Sequence, residues 1–335
     1  MDKKVLIAHL CLLGLAAGCM NDLTYVQRDS GPRIVMNSLM SAGEDAHKVY
    51  LSVSRPEKVD SLTGDANVSC YVNGELAGVA TEISSDMPRQ RLFIFSTPFS
   101  EGDRVRLEAS AENYSARAEV SVPCKAELGK IDTLTVGDST SRQLAFRIGM
   151  TDKEEGADYY SLDILYRAST EFFLGKVSLG TFASCKRLSL DCSDDLILAE
   201  DNIAAANMGM DLDFGTPNRY GAFFDSQFDR SSVVLKPKVD VSEMWSFPEN
   251  APVIADSISV NPCIEVRISH IDIRHYYYLK AIGSLGEGST SDMALEDVAI
   301  PDNIDGGIGF VGLGNPVSKT LQLPSYGVKL QFDEP

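Results

Sequence analysis

The sequence predicts a mostly β protein with two immunoglobulin-like β-sandwich domains, and with a short helix and long loops in the second domain. Three observations support this fold class. Residues 33–123 contain about seven short segments in which apolar and polar residues alternate. Turn residues separate these segments at intervals of about 8–12 residues, as in sandwiches. The dipeptide Asn73-Gly74 is the strongest short signal for a hairpin.

Residues 1–18 are typical of a secretory signal peptide. Lys3 and Lys4 precede an apolar run of about a dozen residues, which is shorter than the ~20 residues that a membrane-spanning helix needs. Small residues then lead to Cys19, and this arrangement resembles the lipobox of bacterial lipoproteins. The resemblance implies that Cys19 carries acyl chains such as palmitate and that the protein is anchored by lipid. The alternative is an ordinary signal peptide with a chance cysteine.

Polar residues 19–32 are predicted to form a lipidated tether, and the first sandwich follows at 33–123. In its sixth strand, Val105, Leu107 and Ala109 alternate with charged residues, which is the pattern of a half-buried strand. Pro123 marks the boundary, because proline is excluded from central strands. The candidate strands are, in order, IVMNSLM, KVYLSVS, ANVSCYV, LAGVATEI, RLFIFST, RVRLEASA and ARAEVSV.

A larger β-rich domain is predicted for residues 125–335, with a long loop at 192–231. Residues 272–283 suit a short helix that Asp272 caps and Gly283 ends. The candidate strands of this domain are LTVGD, QLAFRIGM, YYSLDILYR, KVSLGTF, SVVLKPKVDV and IEVRISHI.

The charge is strongly acidic. Removal of residues 1–18 leaves 28 basic and 47 acidic residues, a formal charge of −19. Such a surface argues against nucleic-acid partners and against electrostatic binding to anionic lipids. Neither H-E-x-x-H nor G-x-S-x-G is present, and His270 and His275 would face opposite sides of a strand. We therefore expect no catalytic site and no cofactor.

Gly307, Gly309 and Gly312 have the G-x-G-x-x-G spacing of a dinucleotide-binding turn. That turn must open a helix inside a βαβ unit. Here Asn315-Pro316 follows almost at once, and only 23 residues remain after Gly312. The glycines are therefore predicted to allow tight turns and close backbone approach beside a strand edge.

Five cysteines remain beyond Cys19, and an exported chain permits disulfides. Cys185 could pair with Cys192, and Cys70 with Cys124, although the sequence does not determine pairing. Five free or buried thiols are the alternative.

The long loop and the helix contain the candidate binding residues. Because loops often carry binding sites and tyrosine offers a large contact area with a polar tip, we predict a ligand or partner surface. Its residues are Tyr220, Phe223, Phe224, Asp225, Phe228, Tyr276 and Tyr277. Core packing is the alternative. No metal site is predicted outright, but a calcium site within 211–229 stays open on the oxygens of Asp211, Asp213, Asn218, Asp225 and Asp229.

Several stretches together resemble an uncharacterised lipoprotein family of Bacteroides-type bacteria, a domain of unknown function. They are RIVMNSLM, GADYYSLDILYR, FFDSQFD, RHYYYLKAIG and NIDGGIGFVG. The resemblance implies an outer-membrane, cell-surface protein that accompanies a TonB-dependent receptor in ligand capture or uptake. A surface adhesin or structural lipoprotein, and an enzyme with an unrecognised site, are the alternatives.

Overall fold

The strands of the computed structural model follow the alternating segments of the sequence. The structure describes residues 31–55, 58–85, 87–111, 113–138, 141–152, 156–199, 218–225, 228, 231–244, 254–284 and 300–330. Strands dominate these residues, which confirms the mostly β fold class. The described residues from Pro32 onward belong to one compact unit.

Nineteen strands lie within the described ranges. Those of the first part are β1 Arg33–Ser41, β2 His47–Arg55, β3 Lys58–Asp60, β4 Ala66–Val72, β5 Glu75–Val79, β6 Thr81–Ile83, β7 Arg91–Phe95, β8 Arg104–Ala111 and β9 Tyr114–Ser121. Those of the second part are β10 Glu127–Val136, β11 Gln143–Thr151, β12 Tyr159–Leu174, β13 Val177–Arg187, β14 Ala222–Phe224, β15 Ser232–Leu235, β16 Lys238–Asp240, β17 Ser257–Ile271, β18 Val311–Gln322 and β19 Tyr326–Lys329. Every predicted strand segment overlaps one of these, whereas β3, β14, β18 and β19 were not predicted.

One large sheet runs through both parts of the described chain. Its order is β13-β12-β17-β18-β1-β2-β7-β6. In addition, β14 pairs with β12, β19 with β17 and β3 with β2. Two four-stranded sheets, β5-β4-β8-β9 and β10-β11-β15 with β16, complete the described strands. The pair β1–β18 is parallel, and the other strand pairs are antiparallel. The sheet therefore continues across the predicted boundary at Pro123.

Two main hydrophobic cores lie between these sheets. The first contains apolar side chains of β1, β2, β4, β7, β8 and β9, together with Ile304, Val311 and Leu313 from far along the chain. The second is built chiefly by β11, β12 and β17. The C-terminal part of the chain contributes side chains to the first core. The predicted division into domains 33–123 and 125–335 stays a prediction.

The glycine-rich stretch forms a close contact between main chains. Met36 N–H donates to Ile308 O at 3.0 Å, and Phe310 N–H donates to the Asn37 side chain at 3.0 Å. Gly309 has φ +119°, and a Cβ there would lie 2.4 Å from Met36 O. The run then enters β18 and not a helix. Close backbone approach thus accounts for this glycine.

The predicted helix forms as α2, Ile273–Ser284, and a shorter helix, α1, spans Leu196–Ala199. Asp272 caps α2, because its Oδ1 accepts the N–H groups of Arg274 at 2.7 Å and His275 at 3.0 Å. Gly283 lies inside the last turn, so the prediction that it ends the helix is wrong. The described helices include none with the length and apolar character to cross a membrane.

Candidate functional site

Three carboxyl groups from separate segments converge beside the second core. Asp152 follows β11, Asp158 precedes β12 and Asp225 follows β14. Antiparallel pairing sets Tyr159 opposite Phe224, so the neighbouring Asp158 and Asp225 come together, and Asp225 N–H donates to Asp158 O at 3.1 Å. One oxygen from each carboxylate lies within 4.8 Å of the other two.

Two of the three carboxylates are buried, and Asp158 is partly exposed. Asp152 is 3% exposed and Asp225 is 2% exposed. Tyr160 donates its hydroxyl to Asp152 Oδ1 at 2.9 Å, whereas Asp225 Oδ2 is buried and has no hydrogen-bond partner among the described residues. Burial, with a smaller contribution from the Asp152 and Asp158 charges, raises the pKa of Asp225. The site therefore brings three carboxyl groups together in a mostly buried environment.

A histidine and a cysteine extend the cluster. His270 Nε2 lies 3.2 Å from Asp158 Oδ1, and its Nδ1 lies 3.0 Å from Cys124 Sγ and 3.1 Å from Cys124 O. The imidazole is 7% exposed, and Cys124 is half-buried. A thiol, an imidazole and a carboxylate in this order match the chain of contacts that activates a thiol nucleophile.

The predicted aromatic surface is corrected by the structure. Phe223, Asp225, Phe228 and Tyr276 are buried, and only Tyr220, Phe224 and Tyr277 are half-buried. The reason is that residues 222–224 form a strand on β12, which directs Phe223 towards the second core. The Phe223 and Tyr160 rings stack there with centroids 5.4 Å apart.

The other face of β14 meets the helix. Phe224, Tyr159 and Tyr276 form a third cluster, with the Tyr276 ring 5.1 Å from Tyr159 and 5.9 Å from Phe224. Core packing, the alternative given above, therefore accounts for most of these aromatic residues.

Neither predicted disulfide is formed, and none of the five cysteines that the structure describes is bonded to another cysteine. Cys70 lies in the first core, whereas Cys124 contacts His270. Cys192 is buried in the second core, whereas Cys185 is exposed on β13. Each predicted pair is thus divided between different environments.

The calcium site left open in the long loop is only partly described. Asp211, Asp213 and Asp229 lie outside the described residues, as does the lipidation candidate Cys19. Asn218 binds main-chain atoms instead, since its amide donates to Leu198 O and Ala222 O at 2.9 Å each. Of the two candidates that the structure describes, Asp225 belongs to the carboxylate cluster and Asn218 does not.

Most of that cluster was not predicted from the sequence. Asp152 and Asp158 stand at the two ends of a short connection between predicted strands, which was a usable signal. No local pattern indicated Asp225, Cys124 or His270 as their neighbours. The pairing of β12 with β14 brings in Asp225, and the pairing of β12 with β17 brings in His270.

Comparison with known proteins gives a family for the chain. The model described as "Domain of unknown function (DUF4249)" matches residues 21–320. The chain belongs to this family. No curated protein matches this DUF4249 member.

Three solved structures share weak similarity with the DUF4249 chain. A DUF4785 family protein of Legionella pneumophila is 11% identical with a TM-score of 0.24, over 71% of this chain and 51% of that one. β-Glucuronidase 3 of Bacteroides uniformis is 11% identical with a TM-score of 0.21, over 70% of this chain and 23% of that one. Bovine butyrophilin is 10% identical with a TM-score of 0.20, over 70% of this chain and 92% of that one. The chain spans about half the length of the Legionella protein, and these scores carry no argument about function.

Proposed function

We propose that the protein is a lipid-anchored outer-membrane protein at the cell surface, where it assists a TonB-dependent receptor in ligand capture or uptake. The observation that carries the proposal is Cys19, placed directly after an apolar segment and small residues. The resemblance to lipoproteins that accompany such receptors supports the choice of partner.

The spacing between Cys19 and the folded body suits a tether. The first strand begins at Arg33, so residues 19–32 separate it from the acylated cysteine. Fourteen extended residues reach at most about 50 Å. The formal charge of −19 beyond residue 18 would be repelled by anionic headgroups, so acyl chains would supply the membrane affinity.

Lipidation is tested by expressing the full chain with Cys19→Ser in a host that processes lipoproteins. We expect the wild type to incorporate labelled palmitate and to partition into detergent, and the variant to lose both properties. Cys11→Ser is the matched control, because Cys11 lies in the same segment and should leave labelling intact. An unlabelled wild type would contradict the anchor.

The partner is tested separately, by purifying the native lipoprotein in mild detergent. A β-barrel receptor should be enriched over the material that co-purifies with an unrelated lipoprotein. Enrichment of host or matrix components without a receptor would favour the adhesin instead.

A thiol-dependent enzyme is a second candidate, which the contacts of Cys124 with His270 and of His270 with Asp158 favour. An imidazole 3.0 Å from Sγ is placed to take the thiol proton, and the carboxylate is placed to orient the imidazole.

Alkylation by iodoacetamide tests this second candidate. Between about pH 8.5 and pH 6, Cys124 should keep a larger fraction of its reactivity than Cys185, an exposed thiol in the same chain. His270→Gln should abolish the difference. Equal loss of reactivity at the two thiols would argue against an activated nucleophile.

A further inference from the structure

The carboxylate cluster of Asp152, Asp158 and Asp225 has the geometry of a cation site. We propose that these three side chains bind one Ca²⁺ ion. Oxygens that share a Ca²⁺ ion at about 2.3–2.6 Å lie at most about 5 Å apart. The three carboxylates meet this condition, because one oxygen from each lies within 4.8 Å of the others.

Asp225 supplies an independent observation. It is 2% exposed, and its Oδ2 has no hydrogen-bond partner among the described residues. Buried polar atoms in folded proteins nearly always have a partner, because an unpaired one loses its hydration without compensation. The oxygen of an ionised carboxylate can only accept hydrogen bonds, so its partner must be a hydrogen-bond donor or a cation. A cation would also screen the repulsion between this group and the two neighbouring carboxylates.

The ligand chemistry favours calcium over the transition metals. All three first ligands are carboxylate oxygens, which suit hard cations, whereas zinc and copper favour sites with nitrogen or sulfur. His270 Nε2 already faces Asp158 Oδ1 at 3.2 Å, so the imidazole would orient a ligand instead of binding the ion. Calcium accepts six to eight oxygens in flexible geometry, so waters and bidentate carboxylates would complete the shell.

The ion would join three parts of the fold. It would tie the end of β11 to the start of β12 and to the end of β14, the short strand that follows residues 200–217. Because only the folded chain brings these carboxylates together, bound calcium should raise the melting temperature of the protein.

The test is equilibrium dialysis of the full chain in detergent, stripped with EDTA, against ⁴⁵Ca²⁺. We expect one saturable site per chain and a melting temperature that rises with calcium. Asp225→Asn, which keeps the side-chain shape, should weaken binding by about tenfold or more. Asp132→Asn is the control, since Asp132 is an exposed carboxylate on β10 and should leave binding unchanged.

Several outcomes would overturn the proposal: no saturable binding, unchanged binding by the folded Asp225→Asn variant, or tighter binding of Mg²⁺ than of Ca²⁺. If Asp225→Asn does not fold, the wild-type stoichiometry and Asp158→Asn decide in its place. Palmitate labelling at Cys19 and calcium binding are separate measurements, so a failure of the lipid anchor and a failure of the calcium site can be told apart.

Discussion

Replacing Gly309 with alanine should lower the free energy of unfolding by about 3 kcal/mol or more. Two costs combine at this position. The backbone has φ +119°, and holding a non-glycine residue in such a region costs roughly 1–3 kcal/mol. The added Cβ would lie 2.4 Å from Met36 O and 2.8 Å from Asn37 Oδ1, and overpacking of this kind costs roughly 1–3 kcal/mol.

The second cost involves main-chain atoms that cannot move independently. Ile308 N–H donates to Ile34 O at 2.9 Å, and Ser38 N–H donates to Phe310 O at 2.9 Å. A shift that relieves the contact at Gly309 would therefore strain hydrogen bonds on both sides of it. These bonds lead directly into the parallel pairing of β1 with β18, so the whole junction should be weakened.

Gly180→Ala separates the two costs. Gly180 has φ +125°, close to that of Gly309, but a Cβ there would meet only the Phe182 ring at 3.5 Å, an ordinary contact. Urea unfolding of both variants should show a loss at Gly180 that reflects the backbone alone, roughly 1–3 kcal/mol, and a larger loss at Gly309. A loss at Gly309 no larger than that at Gly180 would show that the approach to Met36 is not as tight as described.

This junction also shows where sequence reasoning succeeds and where it stops. Alternation along single segments predicted strands such as β1 and β8, because each strand has one face towards a core. The incompatibility of Asn315-Pro316 with a helix predicted that the glycines serve close approach. The partner in that approach, β1, lies more than 270 residues earlier in the chain. No local pattern encodes such a pairing.

The candidate site was less accessible for the same reason. Phe223 and Phe228 were predicted to line a binding surface because they lie in a long predicted loop, and loops often carry binding sites. Their burial depends on residues 222–224, which add a strand to β12. A strand of three residues is too short to be predicted from a sequence pattern. Asp225 reaches Asp152 and Asp158 through the same pairing. The sequence therefore supplied the site's residue types but not their neighbours.

Acidification from pH 6.5 to pH 4 should destabilise the protein through His275. This side chain is 6% exposed on α2, and its Nδ1 has no hydrogen-bond partner within the described residues. Burial lowers its pKa to about 4, although the nearby Asp272 carboxylate acts in the opposite direction. The imidazole has little room to reach water, because it packs on the Phe310 ring and on Gly312, where a Cβ would lie 2.9 Å away.

The direction of the effect follows from the two protonation states. The unfolded chain takes up a proton near the ordinary histidine pKa of about 6.5, whereas the folded chain does so only near 4. The stability contributed by the neutral folded imidazole is therefore fully present above pH 6.5 and is lost as the pH falls towards 4. At about pH 4.5 this loss amounts to roughly 2–3 kcal/mol.

His275→Leu tests the assignment through a difference of differences. Urea unfolding of wild type and variant at about pH 7.5 and pH 4.5 should show that the variant loses roughly 2–3 kcal/mol less on acidification. Contributions of the carboxylates cancel in this comparison, since both proteins retain them. His47→Leu is the matched control: His47 is also buried, but its Nε2 lies 2.9 Å from Thr97 O, which counteracts the lowering of its pKa by burial. If both histidine variants changed the pH dependence equally, or neither did, the buried imidazole beside Gly312 would not be the group that limits stability in acid.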